Sequence, residues 1–252
     1  MRKIAFLSGG KGSLSPELDR RHNVIKSAAT SGTQVDMYGG KGSMETRKGE
    51  YKPSDKKMGS IESLYDEFLS VPHYLQTAIE AEEESYDAVI LSCGSDPGLD
   101  AVREAVKIPV IGPGSSAMHV CSLIGHRFCK LATHRSGRQR LGILPYEAYN
   151  GLQKWASIRD IGLTVIDVRD YPDKTFEACV TEGKKAIENE AIDAITYSCM
   201  SIAFLDFDDR LSQALDVPVV NPVKAAVRMA ELCIDFKLNH SKISYPTPKN
   251  LL

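Results

Sequence analysis

Short apolar, β-branched runs alternate along this chain with longer stretches whose apolar positions repeat every three or four residues. That alternation is the signature of a parallel sheet joined by crossover helices. The runs predict strands near Lys3–Ser8, Gln34–Tyr38, Asp87–Cys93 and Val110–Gly112 in the first half. In the second half they predict Arg127–Thr133, Leu163–Val168, Asp193–Cys199 and Val217–Val220. Helical spacing falls at Pro16–Ser31, Pro72–Glu84, Pro97–Val106, Ser116–Ile124, Glu147–Ile161, Lys174–Glu190, Phe204–Leu215 and Val223–Leu238. Pro16, Pro72, Pro97 and Pro222 suit a first helical turn, where the missing N–H costs nothing.

The pattern repeats. Asp87–Cys93 reads DAVILSC and Asp193–Cys199 reads DAITYSC. A second echo follows each copy, IPVIGP at Ile108–Pro113 and VPVVNP at Val217–Pro222. The expected fold class is therefore α/β, with two pseudo-symmetric domains. Each is a roughly four-stranded parallel sheet flanked by helices, and the active site lies in the cleft between them. The apolar helix from Val223 needs a partner surface for Ala226, Val227, Ala230, Leu232 and Ile234. It is expected to cross back, giving one domain of 1–115 plus 223–252 and another of 116–222.

Each copy ends a strand on a thiol. Ligands bind at the carboxyl ends of parallel strands, so Cys93 and Cys199 are the candidate catalytic pair. Facing each other across a cleft, two thiols suit a reaction that takes a proton from one face of a carbon and returns it to the other. A carbon held between them sets the sulfurs roughly 7–9 Å apart, two hydrogen-bond-length contacts plus the carbon's own bonds. A helix N-terminus after each thiol is expected to lower its pKa and to hold a developing oxyanion. Cys121, Cys129, Cys179 and Cys233 fall among apolar neighbours and read as packing. Asp96 reads as the cap of the helix that Pro97 begins.

Composition narrows the function classes. The 252 residues are 42% hydrophobic and 25% charged, with a net charge of −2. No basic field points to nucleic acid. No apolar run approaches the roughly 18 residues of a membrane helix. Ile4–Leu7 is too short for the core of a signal peptide, so a cytoplasmic protein is expected. Six scattered cysteines make no disulfide framework and no CxxC zinc pair. His119, His126 and His134 lack metal-ligand spacing. His126 reads as a surface or capping residue, while His119 and His134 stay open as cleft residues. GGKGS at Gly9–Ser13 and at Gly39–Ser43 fits neither GxxxxGK[ST] nor GxGxxG, so no phosphate or dinucleotide site is expected. Gly39–Gly59 reads as a long surface loop, either a lid or a solvated insertion. The stretch after Asn239 reads as a surface tail.

Longer strings carry a family resemblance. GSIESLYDEFLSVPHYLQTAIEAEEESYDAVILSCGSDPGLDAVREAV, IPVIGPGSSAMHVCSLIGHRF and DVPVVNPVKAAVRMAELC resemble the aspartate/glutamate/hydantoin racemase superfamily, and within it the hydantoin racemase branch. The likeness runs from about Gly59 to Asp235. It implies two similar α/β domains around a cofactor-independent site, with one cysteine from each at Cys93 and Cys199, and no metal. It implies a small-molecule substrate: a 5-substituted hydantoin, an allantoin-like ureide or an amino acid. Candidate substrate-binding residues near the first thiol are Ser8, Gly9, Gly94, Ser95 and Gly114. Near the second they are Thr133, Met200, Ser201, Asn221 and Pro222. Relatives tend to have a Cys-Ala-Gly-Met turn where this chain has Cys199-Met200-Ser201-Ile202, which touches the substrate pocket. Rival readings are a one-cysteine isomerase or decarboxylase, like maleate isomerase or arylmalonate decarboxylase, and a non-catalytic small-molecule sensor. A homo-oligomer is compatible with the chain.

Overall fold

The computed structural model describes residues 1–7, 15–39, 61, 63–133 and 154–251. Two four-stranded parallel sheets carry the fold. The first has strands β1 (Arg2–Leu7), β2 (Thr33–Tyr38), β3 (Ala88–Ile90) and β4 (Val110–Ile111), in the order β2-β1-β3-β4. The second has β5 (Phe128–Ala132), β6 (Trp155–Asp160), β7 (Ala194–Tyr197) and β8 (Val219–Val220), in the order β6-β5-β7-β8. The repeat seen in the sequence is thus a repeat of topology. Each half starts on a central strand, steps outward once, and returns to the other side.

Central strands are apolar on consecutive positions because both sheet faces are covered. Ile4, Ala5, Phe6 and Leu7 of β1 are all fully buried, as are Ala88, Val89 and Ile90 of β3. The repeated aspartates at the start of β3 and β7 do one job twice. Asp87 accepts the Lys3 N–H at 2.7 Å. Asp193 accepts the N–H groups of His126 and Arg127 at 2.7 and 2.8 Å. Each carboxylate fastens the start of the neighbouring strand and fixes the register.

The described helices are α1 (Ser15–Ala28), α2 (Leu64–Glu83), α3 (Leu99–Ala105), α4 (Pro113–Ile124), α5 (Val165–Asp170), α6 (Pro172–Glu190), α7 (Met200–Ala203), α8 (Asp208–Leu215) and α9 (Pro222–Asp235). Pro222 opens α9 as expected. Helix α9 packs on α1 and α4 and against β1, β3 and β4. Its Val223, Ala226, Val227 and Ala230 share one core with Ile4 and Phe6 of the first sheet and Leu131 and Tyr197 of the second. Leu232, expected in that stripe, is instead exposed.

Five expectations are corrected. Leu163–Val168 is no strand. Thr164 accepts the Asp167 N–H while Asp167 accepts the Thr164 N–H, a reciprocal cap that starts α5. The strand is β6, within the stretch that helical spacing assigned to Glu147–Ile161. The Phe204–Leu215 helix is broken at Asp206, whose φ is 56°. Helix α2 begins at Leu64 with Ser63 as its cap, so Pro72 lies inside it. Pro97 stands before α3, whose N-cap is Gly98.

The C-terminal tail is fastened down. Lys242 Nζ donates to the carbonyls of Arg103, Glu104 and Val106 at 2.8, 3.1 and 2.7 Å, closing the end of α3. His240 Nε2 accepts the Val110 N–H of edge strand β4 at 2.8 Å. Burial and the nearby Arg103 charge push the His240 pKa down to about 4. The unfolded chain takes up this proton near pH 6.5, the folded chain only near pH 4. The contribution is full above about pH 6.5 and is lost as pH falls toward 4. The stability gap between wild type and His240→Gln in urea should therefore narrow on acidification. Lys242→Ala should lower Tm by roughly 2–4 °C, the shift that about 1 kcal/mol produces in a chain of this size. A melt unchanged by Lys242→Ala would mean the tail holds nothing.

Candidate active site

Chain order reverses in each sheet at one gap, between β1 and β3 and between β5 and β7. Such gaps open at the carboxyl ends of the strands and take ligands. Cys93 follows β3 and Cys199 follows β7, so each thiol sits at the switch point of its own sheet. Both keep part of their surface open, while Cys121, Cys129 and Cys179 are buried. Cys233 is half-buried against the core.

The two thiol turns meet backbone to backbone. A methyl group on Gly94 would lie 2.2 Å from the Ser198 carbonyl oxygen. One on Gly114 would lie 2.1 Å from the Gly94 carbonyl oxygen. Glycine is required at both because no Cβ fits. Gly94 follows Cys93 and Ser198 precedes Cys199, so this contact sets one thiol against the other. The sulfurs are close enough for a charge on Cys199 to raise the Cys93 pKa.

Asp96 is no cap for α3. It stands at φ 54° and turns its buried carboxylate onto α4, accepting the N–H groups of Gly114 and Ser115 at 2.9 and 2.7 Å. The cause is local: Gly112 and Gly114 leave room, and α4 offers unbonded amides at its start. Burial raises the Asp96 pKa, and those amides and the charge of Lys130 hold it back. Lys130, fully buried on β5, is pushed down to about 8 by burial against the attraction of Asp96. The two opposite charges thus act on each other between a first-half turn and the second sheet.

Neither thiol pKa is lowered. Burial pushes Cys93 up to about 12, aided by the Glu67 carboxylate. Cys93 is not at a helix start; α3 begins only at Leu99, and Pro97 has no N–H to offer. Cys199 is also raised by burial, but four donors oppose the rise: the Ser201 and Ile202 amides and the Ser201 and Thr133 hydroxyls. Cys199 is the N-cap of α7, whose four residues carry little dipole. Its first amides serve the sulfur, where an enolate oxygen was expected to be their partner.

The other expected residues divide. Ser95 lies 3.1 Å from the Cys93 sulfur through its hydroxyl. Thr133 and Ser201 attend Cys199. Gly94 and Gly114 form the junction itself. Met200 is buried within α7. Asn221 donates to the Ala203 carbonyl and Asp208 at 3.0 and 2.9 Å and accepts the Val223 N–H at 3.0 Å, so its amide binds α7, α8 and α9 together. Pro222 is the first residue of α9. Ser8, Gly9, His134, the whole GGKGS turn at Gly9–Ser13 and all of the Gly39–Gly59 loop but Gly39 lie outside the described residues. Among the described residues no three side chains gather to hold a metal, and no helix is long and apolar enough to cross a membrane.

Residues 55–230 match the family model described as Asp/Glu/Hydantoin racemase. The chain belongs to that family. It is 35% identical to a hydantoin racemase of Pseudomonas sp. (strain NS671) over 90% of this chain and 86% of the relative. It is 32% identical to the hydantoin racemase of Paenarthrobacter aurescens over 76% of this chain and 82% of the relative. The fold matches allantoin racemase from Pseudomonas fluorescens with a TM-score of 0.82, covering 99% of this chain and 97% of that one at 23% identity. A more distant likeness is an arylmalonate decarboxylase variant, with a TM-score of 0.64 at 17% identity.

Glu67 was missed in the sequence. It sits on the buried stripe of α2 with Ser70, Tyr74, Thr77, Ala78 and Ala81. A carboxylate at a core position of a helical stripe is the signal that would have found it. Lys130, inside a strand buried along its whole length, carries the same signal.

Proposed function

We propose that this protein is a cofactor-independent racemase or epimerase of a neutral cyclic ureide, first of all a 5-substituted hydantoin. One thiolate removes the proton from the carbon beside the carbonyl, and the opposite thiol protonates the other face. The observation that carries the reading is the direct contact of the two thiol turns through Gly94 and Ser198. A one-cysteine isomerase or decarboxylase does not need that second, well-attended sulfur.

The preference for a neutral ring over an amino acid rests on charge. Among the described residues, the groups around the thiols are hydroxyls, amides and carboxylates, with Glu67 beside Cys93. A buried carboxylate opposes a substrate carboxylate. The identity to hydantoin racemases points the same way. Burial raises both thiols, so each carries its proton at rest, Cys93 facing Glu67 and Cys199 facing its four donors. The donors around Cys199 ease the loss of its proton, and the thiolate so formed deprotonates the enantiomer whose proton faces Cys199. Six free cysteines suit a reducing, cytoplasmic setting.

The test is proton NMR in D₂O with both enantiomers of several 5-substituted hydantoins, allantoin, aspartate, glutamate and an arylmalonate. Enzyme-dependent loss of the α-proton signal and of optical rotation is expected for hydantoins. Exchange in the acidic amino acids alone, or carbon dioxide release from the arylmalonate, would refute the assignment.

A further inference from the structure

A proton that rests on Cys93 must leave before Cys93 can act as a base. Residue placement offers one way out. The Ser95 hydroxyl lies 3.1 Å from the Cys93 sulfur, and the same hydroxyl hydrogen-bonds the Glu67 carboxylate. Glu67 comes from α2, a helix that otherwise supplies packing for β1, β3 and α3. It is almost fully buried, on the face that touches the core.

We propose that Glu67, acting through the Ser95 hydroxyl, is the proton acceptor that converts Cys93 to its thiolate for the enantiomer whose α-proton faces Cys93. The inference rests on the two-thiol reading above. Its step is a double transfer. The Cys93 S–H bond breaks and its electron pair stays on sulfur. That proton joins Ser95 Oγ as the Ser95 hydroxyl proton passes to Glu67, leaving a neutral carboxylic acid, a neutral serine and a Cys93 thiolate, while Cys199 keeps its own proton for the opposite face of the carbon. The reverse transfer restores the resting form after the opposite enantiomer has reacted. Glu67 is a positioning residue, since it reaches the substrate carbon only through Cys93.

The surroundings tune Glu67 for the exchange. Burial, then the charges of Asp96 in the turn and Asp66 on α2, raise its pKa to about 7, and the Ser95 hydroxyl holds it back. Among the described residues its charge also raises Tyr74 of α2 and Cys93 itself. Among the described residues no equivalent carboxylate attends Cys199, whose partners there are hydroxyls and amides.

The two arms separate in single-thiol backgrounds. In the Cys199→Ser protein only Cys93 exchanges the α-proton with D₂O, and in the Cys93→Ser protein only Cys199 does. Adding Glu67→Gln should cut the Cys93 exchange by roughly 10²-fold, the lower range of general acid–base assistance. The inflection near pH 7 in that exchange rate should vanish with it. The Cys199 exchange should shift by less than about threefold, which also shows that the Glu67→Gln protein folds. Ser95→Ala, which breaks the link and leaves Glu67 in place, should reproduce the loss on the Cys93 arm. Glu67→Asp should restore a pH inflection. Equal losses on both arms, or an unchanged pH profile on the Cys93 arm, would overturn the relay. Absence of exchange in the unaltered enzyme would instead overturn the racemase reading.

Discussion

Cys93→Ser and Cys199→Ser are each expected to stop net racemisation, with losses of roughly 10²–10⁴-fold or more. The reaction needs one group on each face of the carbon, and serine holds its proton far more tightly than cysteine at neutral pH. The half-reactions survive. Each variant keeps the thiol that serves one enantiomer, so each should wash the α-proton of that enantiomer into D₂O without inverting it. The two variants should choose opposite enantiomers. Steady-state ratios do not report this asymmetry. The enantiomers of a hydantoin with one stereocentre have equal free energy, so kcat/KM is the same in both directions for every variant. One-sided exchange is the measurement that separates the arms. Exchange in Cys93→Ser should be the stronger, because Cys199 keeps the Ser201, Ile202 and Thr133 donors that favour its thiolate. A variant that still racemises at more than a few per cent of the wild-type rate would end the two-base proposal.

Some of this was legible in the chain and some was not, for physical reasons. The strands β1, β3, β5 and β7 are buried on both faces, so their composition alone marks them. They also carry or neighbour the thiols, which is why the site's position followed from the repeat. Strand β6 is an edge strand, half-exposed throughout, with Arg159 paired to Glu182 and Glu190 of α6. Its polar residues hide the period of two. Helix α5 opens on Val165 and Ile166, which favour strands, and only the Thr164–Asp167 cap shows what it is.

The roles of charged residues were harder to read, because they depend on which elements meet. Asp96 looks like a local cap until α4 is placed against it. The expected fall in thiol pKa rested on helix ends alone. Burial outweighs it at both sulfurs, a desolvation that no local pattern records.

The contact between the two turns gives the second large effect. In Gly94→Ala the new Cβ meets the Ser198 carbonyl oxygen at 2.2 Å, and the obstacle is backbone. No rotamer change relieves it. The turns must part by a fraction of an ångström to an ångström, and Gly114 leaves no slack beside them, since the Gly94 carbonyl oxygen fills the space a Cβ there would take. Overpacking of this kind costs about 1–3 kcal/mol of stability or more. The larger consequence is chemical. The displacement acts along the line that sets Cys93 against Cys199, and a shift near 1 Å in a reacting geometry costs roughly 10²-fold in rate. Gly94→Ala should therefore lose kcat well beyond what its Tm implies. Gly162→Ala is the control. Gly162 has φ 74° with open space around it, so its added methyl meets only backbone strain. It should lose about 1 kcal/mol of stability while kcat stays within about twofold. Equal rates in Gly94→Ala and wild type at a temperature where both are folded would show that the thiols tolerate separation. The junction would then serve the fold alone, and the two-thiol geometry would have to be held by other contacts across the cleft.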